Sequence, residues 1–150
     1  MALLVSEDNE CVSSVDLRPF AGSLGEEHPG QVWQRFELTM KSGMREFSEQ
    51  CLLCRQPEDE AGKLVLLIGE LVDGKRNEVI FEPAEPTFEL SLSRTREGGI
   101  KAEVWIDSGN ASTGFYRWDA CGIRFYTTDA NLKSFAESLL AELPACSAQA

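Results

Sequence analysis

The sequence predicts an α+β fold, a curved, mainly antiparallel sheet of about six to eight strands with two helices packed on one face. Three observations carry this expectation. Extended runs with two-residue apolar alternation follow one another as neighbours, as in Phe36, Leu38, Met40 and in Phe88, Leu90, Leu92. Helical apolar spacing occurs in two segments, Ala61 to Val72 and Leu132 to Leu143. Those segments do not alternate with the strands one for one, which argues against a parallel doubly wound sheet.

Val12, Val15 and Leu17 suggest a short strand, and the turn formers of Ala21 to Gln31 read as a loop, so residues 1–31 form a poorly patterned strand and loop. From Val32 to Lys41, Phe36, Leu38 and Met40 oppose Glu37, Thr39 and Lys41, the period of a half-buried strand. Ser42 and Gly43 turn the chain, and Met44 to Cys54 returns as the second strand of a hairpin with poorer alternation. Pro57 followed by Glu58, Asp59 and Glu60 marks a helix start, because proline lacks only an N–H that the first turn leaves unpaired and carboxylates favour the positive end. Ala61, Leu64, Val65, Ile68, Leu71 and Val72 form the helix stripe, and Gly74 stops it with Lys75 and Arg76 beside the negative end. Gly62 and Gly69 each cost this helix about 1 kcal/mol relative to alanine.

Pro83 and Pro86 separate two further extended runs, since neither can donate to a ladder. Phe88, Leu90 and Leu92 then pair across the Glu97-Gly-Gly turn with Ile100, Ala102, Val104 and Ile106, the clearest hairpin in the chain. After a turn at Ser108 to Ser112, Thr113 to Trp118 and Ile123 to Thr127 read as two more strands. Thr128 or Asp129 caps the last helix, whose stripe is Leu132, Phe135, Ala136, Leu139, Leu140 and Leu143. Pro144 ends it, and Ala145 to Ala150 reads as a frayed tail.

Composition limits function. The chain holds 14 Lys plus Arg against 25 Asp plus Glu, a net charge of −11 that would repel DNA or RNA, so nucleic acid is not expected as a partner. At 150 residues and 43% hydrophobic content the chain can bury roughly 70% of its unfolded surface, so one folded domain over residues 1–150 is expected. The longest apolar run, Leu64 to Ile68, is far short of the roughly 20 residues that span a bilayer, so no membrane association is expected. Met1 to Asp8 has no basic start or long apolar segment and turns acidic at Glu7, which together with five cysteines predicts a cytoplasmic chain with reduced thiols.

No catalytic constellation emerges, and no cofactor or metal site is expected. Cys51-Leu-Leu-Cys54 lacks the second ligand pair that zinc requires, and in a strand its two thiols point to opposite faces. His28 is the sole imidazole and sits in a turn-rich loop, where a solvated side chain is the simpler reading. Gly-x-Ser-x-Gly, the Walker loop, Gly-x-Gly-x-x-Gly and His-Glu-x-x-His are all absent. Glu82 and Glu85 could support glycosidic chemistry in principle, and a hydrolase would need a deep pocket in which such carboxylates converge.

Binding is better supported. Trp105 lies on the polar register of its strand with Lys101, Glu103 and Asp107, and Glu89 holds the polar register of the preceding strand. An aromatic in an acidic field is the kind of anchor that dominates protein interfaces, so Trp105, Glu103, Asp107 and Glu89 are the candidate partner-binding residues. The alternative is that a helix or loop covers Trp105, or that it packs across strands on Tyr116 or Trp118. The acidity would steer a basic protein partner by long-range attraction.

From about residue 51 to 143 the order of elements resembles the WapI-type immunity proteins of bacterial contact-dependent toxin systems. The resemblance rests on the amphipathic Glu58 to Val72 segment, Phe81-Glu-Pro leading to Phe88-Glu-Leu, the Ile100-Lys-Ala-Glu-Val strand, and the closing Thr128-Asp-Ala-Asn-Leu-Lys-Ser-Phe-Ala-Glu-Ser-Leu-Leu segment. It implies a small cytoplasmic, non-catalytic protein that binds and blocks a cognate toxin domain, for instance a basic nuclease. It carries over no contact residues. A structural or adaptor domain of a cytosolic assembly is the alternative.

Overall fold

The computed structural model describes residues 2–8, 12–107 and 120–144. Among them are nine strands and two helices in an α+β arrangement: β1 Leu3–Val5, β2 Ser13–Pro19, β3 Gly25–His28, β4 Gln31–Ser42, β5 Arg45–Gln56, α1 Glu60–Val72, β6 Glu78–Phe81, β7 Phe88–Arg94, β8 Ile100–Asp107, β9 Ala120–Thr127 and α2 Asp129–Glu142. The strands form two antiparallel sheets. In the first, β1 pairs β2, β2 and β3 lie end to end along one edge of β4, and β5 lines the other edge. The second runs in the order β6-β7-β8-β9. The sheets meet where the chain beyond β1 runs beside β9: the Glu7 N–H donates to the Tyr126 carbonyl at 2.9 Å, and the Thr127 hydroxyl donates to the Val5 carbonyl at 2.7 Å. The first 31 residues are thus not merely a strand and a loop.

Hydrophobic patterning accounts for the layers. Phe36, Leu38 and Met40 of β4, Leu90 and Leu92 of β7 and Val104 and Ile106 of β8 are buried on one face of their strands. They meet Leu64, Ile68 and Leu71 of α1 and Leu132, Phe135 and Leu139 of α2 in one continuous core. The predicted β7–β8 hairpin forms, with Phe88 opposite Ile106, Leu90 opposite Val104 and Leu92 opposite Ala102.

Several local expectations are corrected. The loop read at Ala21 to Gln31 contains β3, an edge strand whose Gly25, Glu26, Glu27 and His28 are all exposed, so it has no apolar face to betray it. Helix α1 starts three residues after Pro57, because the Asp59 carboxylate caps it by accepting the Gly62 N–H at 3.0 Å. Its far end closes as expected at Gly74, whose φ of 76° lets the Gly74 and Lys75 N–H groups turn back to the carbonyls of Leu71 and Glu70. In α2, Thr128 is the cap, accepting the Asn131 N–H at 3.1 Å, and Leu140 lies exposed outside the buried stripe. The turn at Ser108 to Ser112, the strand read over Thr113 to Trp118 and the tail from Ala145 lie outside the described residues.

The two helix glycines differ. A Cβ at Gly62 would come within 2.7 Å of the capping Asp59 carboxylate, whereas one at Gly69 would meet nothing within 4 Å. Gly69→Ala is therefore expected to stabilise the fold by about 0.5–1 kcal/mol, read as a higher urea midpoint with an unchanged slope. A loss of stability would show that the open space beside Gly69 is needed.

Two arginines tie the helices together. Arg55, on the core-facing side of β5, donates to the Asp59 carboxylate at the start of α1, to the Gln34 side chain of β4 and to the Pro144 carbonyl beyond the end of α2. Arg94, closing β7, holds Asp129 at the start of α2 with a bidentate pair at 2.9 and 3.1 Å and donates to the Leu71 carbonyl near the end of α1. The start of each helix thus lies beside the end of the other, an antiparallel pair clamped at both ends.

Candidate functional site

The outer face of the second sheet is built by register. Residues that alternate with the core set point away from the helices, and the ladder aligns them in rows: Ile80, Ser91, Glu103 and Arg124 in one, and Glu78, Ser93, Lys101 and Tyr126 in the next. In the row beyond Glu103, Glu89 lies opposite Trp105, and Trp105 opposite Gly122. Ile80, Trp105 and Tyr126 are all exposed on this face.

Trp105 is 41% exposed, and its underside is packed. A Cβ on Gly122 would stand 2.5 and 2.7 Å from indole ring carbons, so the ring lies directly on the glycine backbone. Close approach of an aromatic to a cross-strand glycine shields the bare backbone and restricts the side chain to one placement. Trp105 therefore packs across strands on Gly122. Tyr116 and Trp118, considered for that role, lie outside the described residues.

Beside the indole opens a cleft of about 340 Å³, lined by Glu82, Pro86, Phe88, Glu89, Trp105, Asp107 and Ala120. It is an open groove, and no lysine or arginine occurs among these lining residues. Three of the four predicted binding residues, Trp105, Asp107 and Glu89, come together here. Glu103 lies outside the lining and pairs with Lys101 at 3.0 Å. Hydrogen bonds from Lys101 and then from Trp105 hold its carboxyl below the ordinary glutamate range, against the opposing effect of desolvation. Gly122 and Glu82 are the members that inspection of the Trp105 strand misses: one belongs to a strand distant in sequence and the other to the proline-bounded connection after β6.

The outer face of the first sheet is different in character. Its groove, about 400 Å³, is bridged by its own ion pairs, Arg18 with Glu37 at 3.0 Å and Lys41 with Glu46 at 3.4 Å. Within it burial raises the Asp16 carboxyl above its usual pKa, with Arg18 opposing the shift.

The remaining candidates do not converge. Cys51 and Leu53 face the core while Cys54 sits on the alternate register of β5, so the two thiols are held apart by the pleat. Burial pushes the Cys51 thiol up to about 12, and the nearby Glu49 adds to the shift. Both thiols are buried, whereas Cys121 is exposed, and all three are free. His28 is exposed on β3. Among the described residues, no three His, Cys, Asp or Glu side chains gather in a metal-binding arrangement, and no helix is long and apolar enough to cross a membrane. Comparison with protein-family models, curated proteins and solved structures finds no match to this chain.

Gly122→Ala follows directly from this geometry. The added methyl would meet the indole and, at 2.7 Å, the Val104 carbonyl, so ring and ladder must both shift. We expect a cost of about 1–2 kcal/mol, of the size seen when a packed site is overfilled, and a blue- or red-shifted Trp105 emission. Wild-type stability and spectrum would mean that the ring does not rest on Gly122.

Proposed function

We propose that this chain is a non-catalytic binding protein that docks a basic protein on the outer face of its second sheet, serving as a cytoplasmic immunity protein that neutralises a cognate bacterial toxin domain. The observation that supports docking is the Trp105 cleft: a ring seated on Gly122 and partly exposed, beside the carboxylates of Glu82, Glu89 and Asp107. A rigid aromatic loses little conformational entropy on binding and buries a large area, while the surrounding negative charge favours a cationic partner. The net charge of −11 extends that attraction beyond the contact itself. The immunity role draws on the resemblance of residues 51–143 to the WapI-type immunity proteins.

Co-expression with a toxin-like reading frame neighbouring this one tests the reading: the pair co-purifies and the cells survive. A pair that does neither overturns the immunity role and returns the adaptor alternative. On the complex, Trp105→Ala is expected to weaken binding at least about 10-fold, a modest hot-spot effect, while the free protein unfolds within about 1 kcal/mol of wild type. The association rate should fall as salt rises, because at ~0.15 M charges are already screened beyond about 8 Å. Unchanged affinity in the variant, measured by calorimetry, would remove Trp105 from the interface.

A further inference from the structure

We propose that the Trp105 cleft is the receptor for an arginine side chain of the basic partner, with the guanidinium stacked on the open face of the indole and its edge donating to the Glu89 carboxylate. This rests on the docking role proposed above and names the group that the site selects. Three features of the cleft match that group.

The indole is already in place. Gly122 lies so close beneath it that a methyl could not fit, and the exposed part of Trp105 borders the groove. A cation that settles on it need not first order the ring. The carboxylate is also in place: Glu89 is the direct cross-strand partner of Trp105, a pairing that puts the two Cβ atoms about 5 Å apart. Both side chains line the same groove, so a planar cation that enters it meets the ring and the carboxylate together. The remaining wall is mixed, with Pro86 offering apolar surface to a methylene stem beside the polar edge of the groove.

These requirements distinguish arginine from lysine. The guanidinium is flat, weakly hydrated and able to stack and donate along its edge at once, whereas an ammonium is a compact, strongly hydrated point charge. A metal ion or a neutral side chain would use the carboxylates or the ring, but not both. Charge complementarity selects the partner class: an anionic cleft on a chain of net charge −11 suits a basic protein segment.

The test uses the full chain and two probes, octa-arginine and octa-lysine peptides, titrated by calorimetry at ~0.15 M salt, where bulk attraction is limited to about 8 Å. Octa-arginine is expected to bind about 5-fold tighter than octa-lysine, as a partly desolvated cation–π contact would give. That preference should vanish in Trp105→Ala, shrink in Glu89→Gln and persist in part in Trp105→Phe, which keeps a ring over Gly122. Equal binding of both peptides, weakened by Trp105→Ala, would leave the docking face standing and overturn the arginine assignment. Binding that ignores Trp105→Ala, or no binding of either peptide, would overturn the assignment and the docking face together.

Discussion

Replacing Arg55 by alanine is expected to destabilise the protein by about 3–4 kcal/mol, because a buried charged donor cannot be removed without stranding the groups it satisfies. Arg55 is 5% exposed and Gln34 is 1% exposed, so the Gln34 side-chain oxygen loses its partner where water cannot reach it. The Pro144 carbonyl, 3.1 Å from the guanidinium, loses the contact that holds the chain after α2 to the first sheet. The Asp59 carboxylate is less affected, since its side chain is 43% exposed and it keeps the Gly62 N–H. For a chain of this length the loss corresponds to roughly a 10 °C fall in Tm, and hydrogen exchange should speed up first in the last turn of α2. Arg55→Met separates the causes, because it retains the packing of the stem but no donors. If Arg55→Met is as stable as wild type, the hydrogen-bonded clamp contributes nothing beyond volume.

Glu60→Ala is the second large effect, about 2–3 kcal/mol, and it acts between the sheets. The two oxygens of this carboxylate accept the Cys54 N–H of β5 and the Ala84 N–H of the connection between β6 and β7, both at 2.7 Å. Such short, charge-assisted bonds are worth more than neutral ones. The Ala84 N–H can turn to water when the carboxylate is gone. The Cys54 N–H is partly buried and has less recourse, so it accounts for most of the loss. Glu60→Gln keeps one good acceptor and is expected to recover about half of the difference. Urea denaturation of the three proteins decides the matter: a cost below about 1 kcal/mol for Glu60→Ala would mean that this bridge adds little to the junction already made between β1 and β9.

Legibility in the sequence follows the range of the interaction. The β7–β8 hairpin is readable because its alternation is strict and its turn is short, so local pattern and final register coincide. The helices are readable because apolar stripes and end signals are local: the Thr128 cap acts within three residues, whereas the Asp59 cap is hidden behind the stronger signal of Pro57. That the return strand runs past Cys54 to Gln56 has a cause that only the fold supplies. Arg55 occupies a core-facing position, next to a register shift in which Gln56 pairs with Val32 but Cys54 with Trp33, and its partners come from β4, α1 and the chain after α2. Strand β3 is invisible because its pairing uses backbone groups and exposes every side chain. At the candidate site, Trp105 stands out as an aromatic on a polar register, but the glycine beneath it is found only by knowing that β9 pairs β8 at that position.

By itself the sequence determined the α+β class, the two helices with the glycine stop of the first, the inward and outward residues of the regular strands, and a net charge of −11. All of these follow from periodicity, turn chemistry and summed charge, which act along the chain. Tertiary structure alone decided that the strands divide into two sheets and that Arg55 and Arg94 clamp an antiparallel helix pair. It also decided that Trp105 rests on Gly122 beside Glu89. The reason is that backbone pairing and buried polar contacts join residues far apart in the chain, and neither leaves a periodic trace in the sequence.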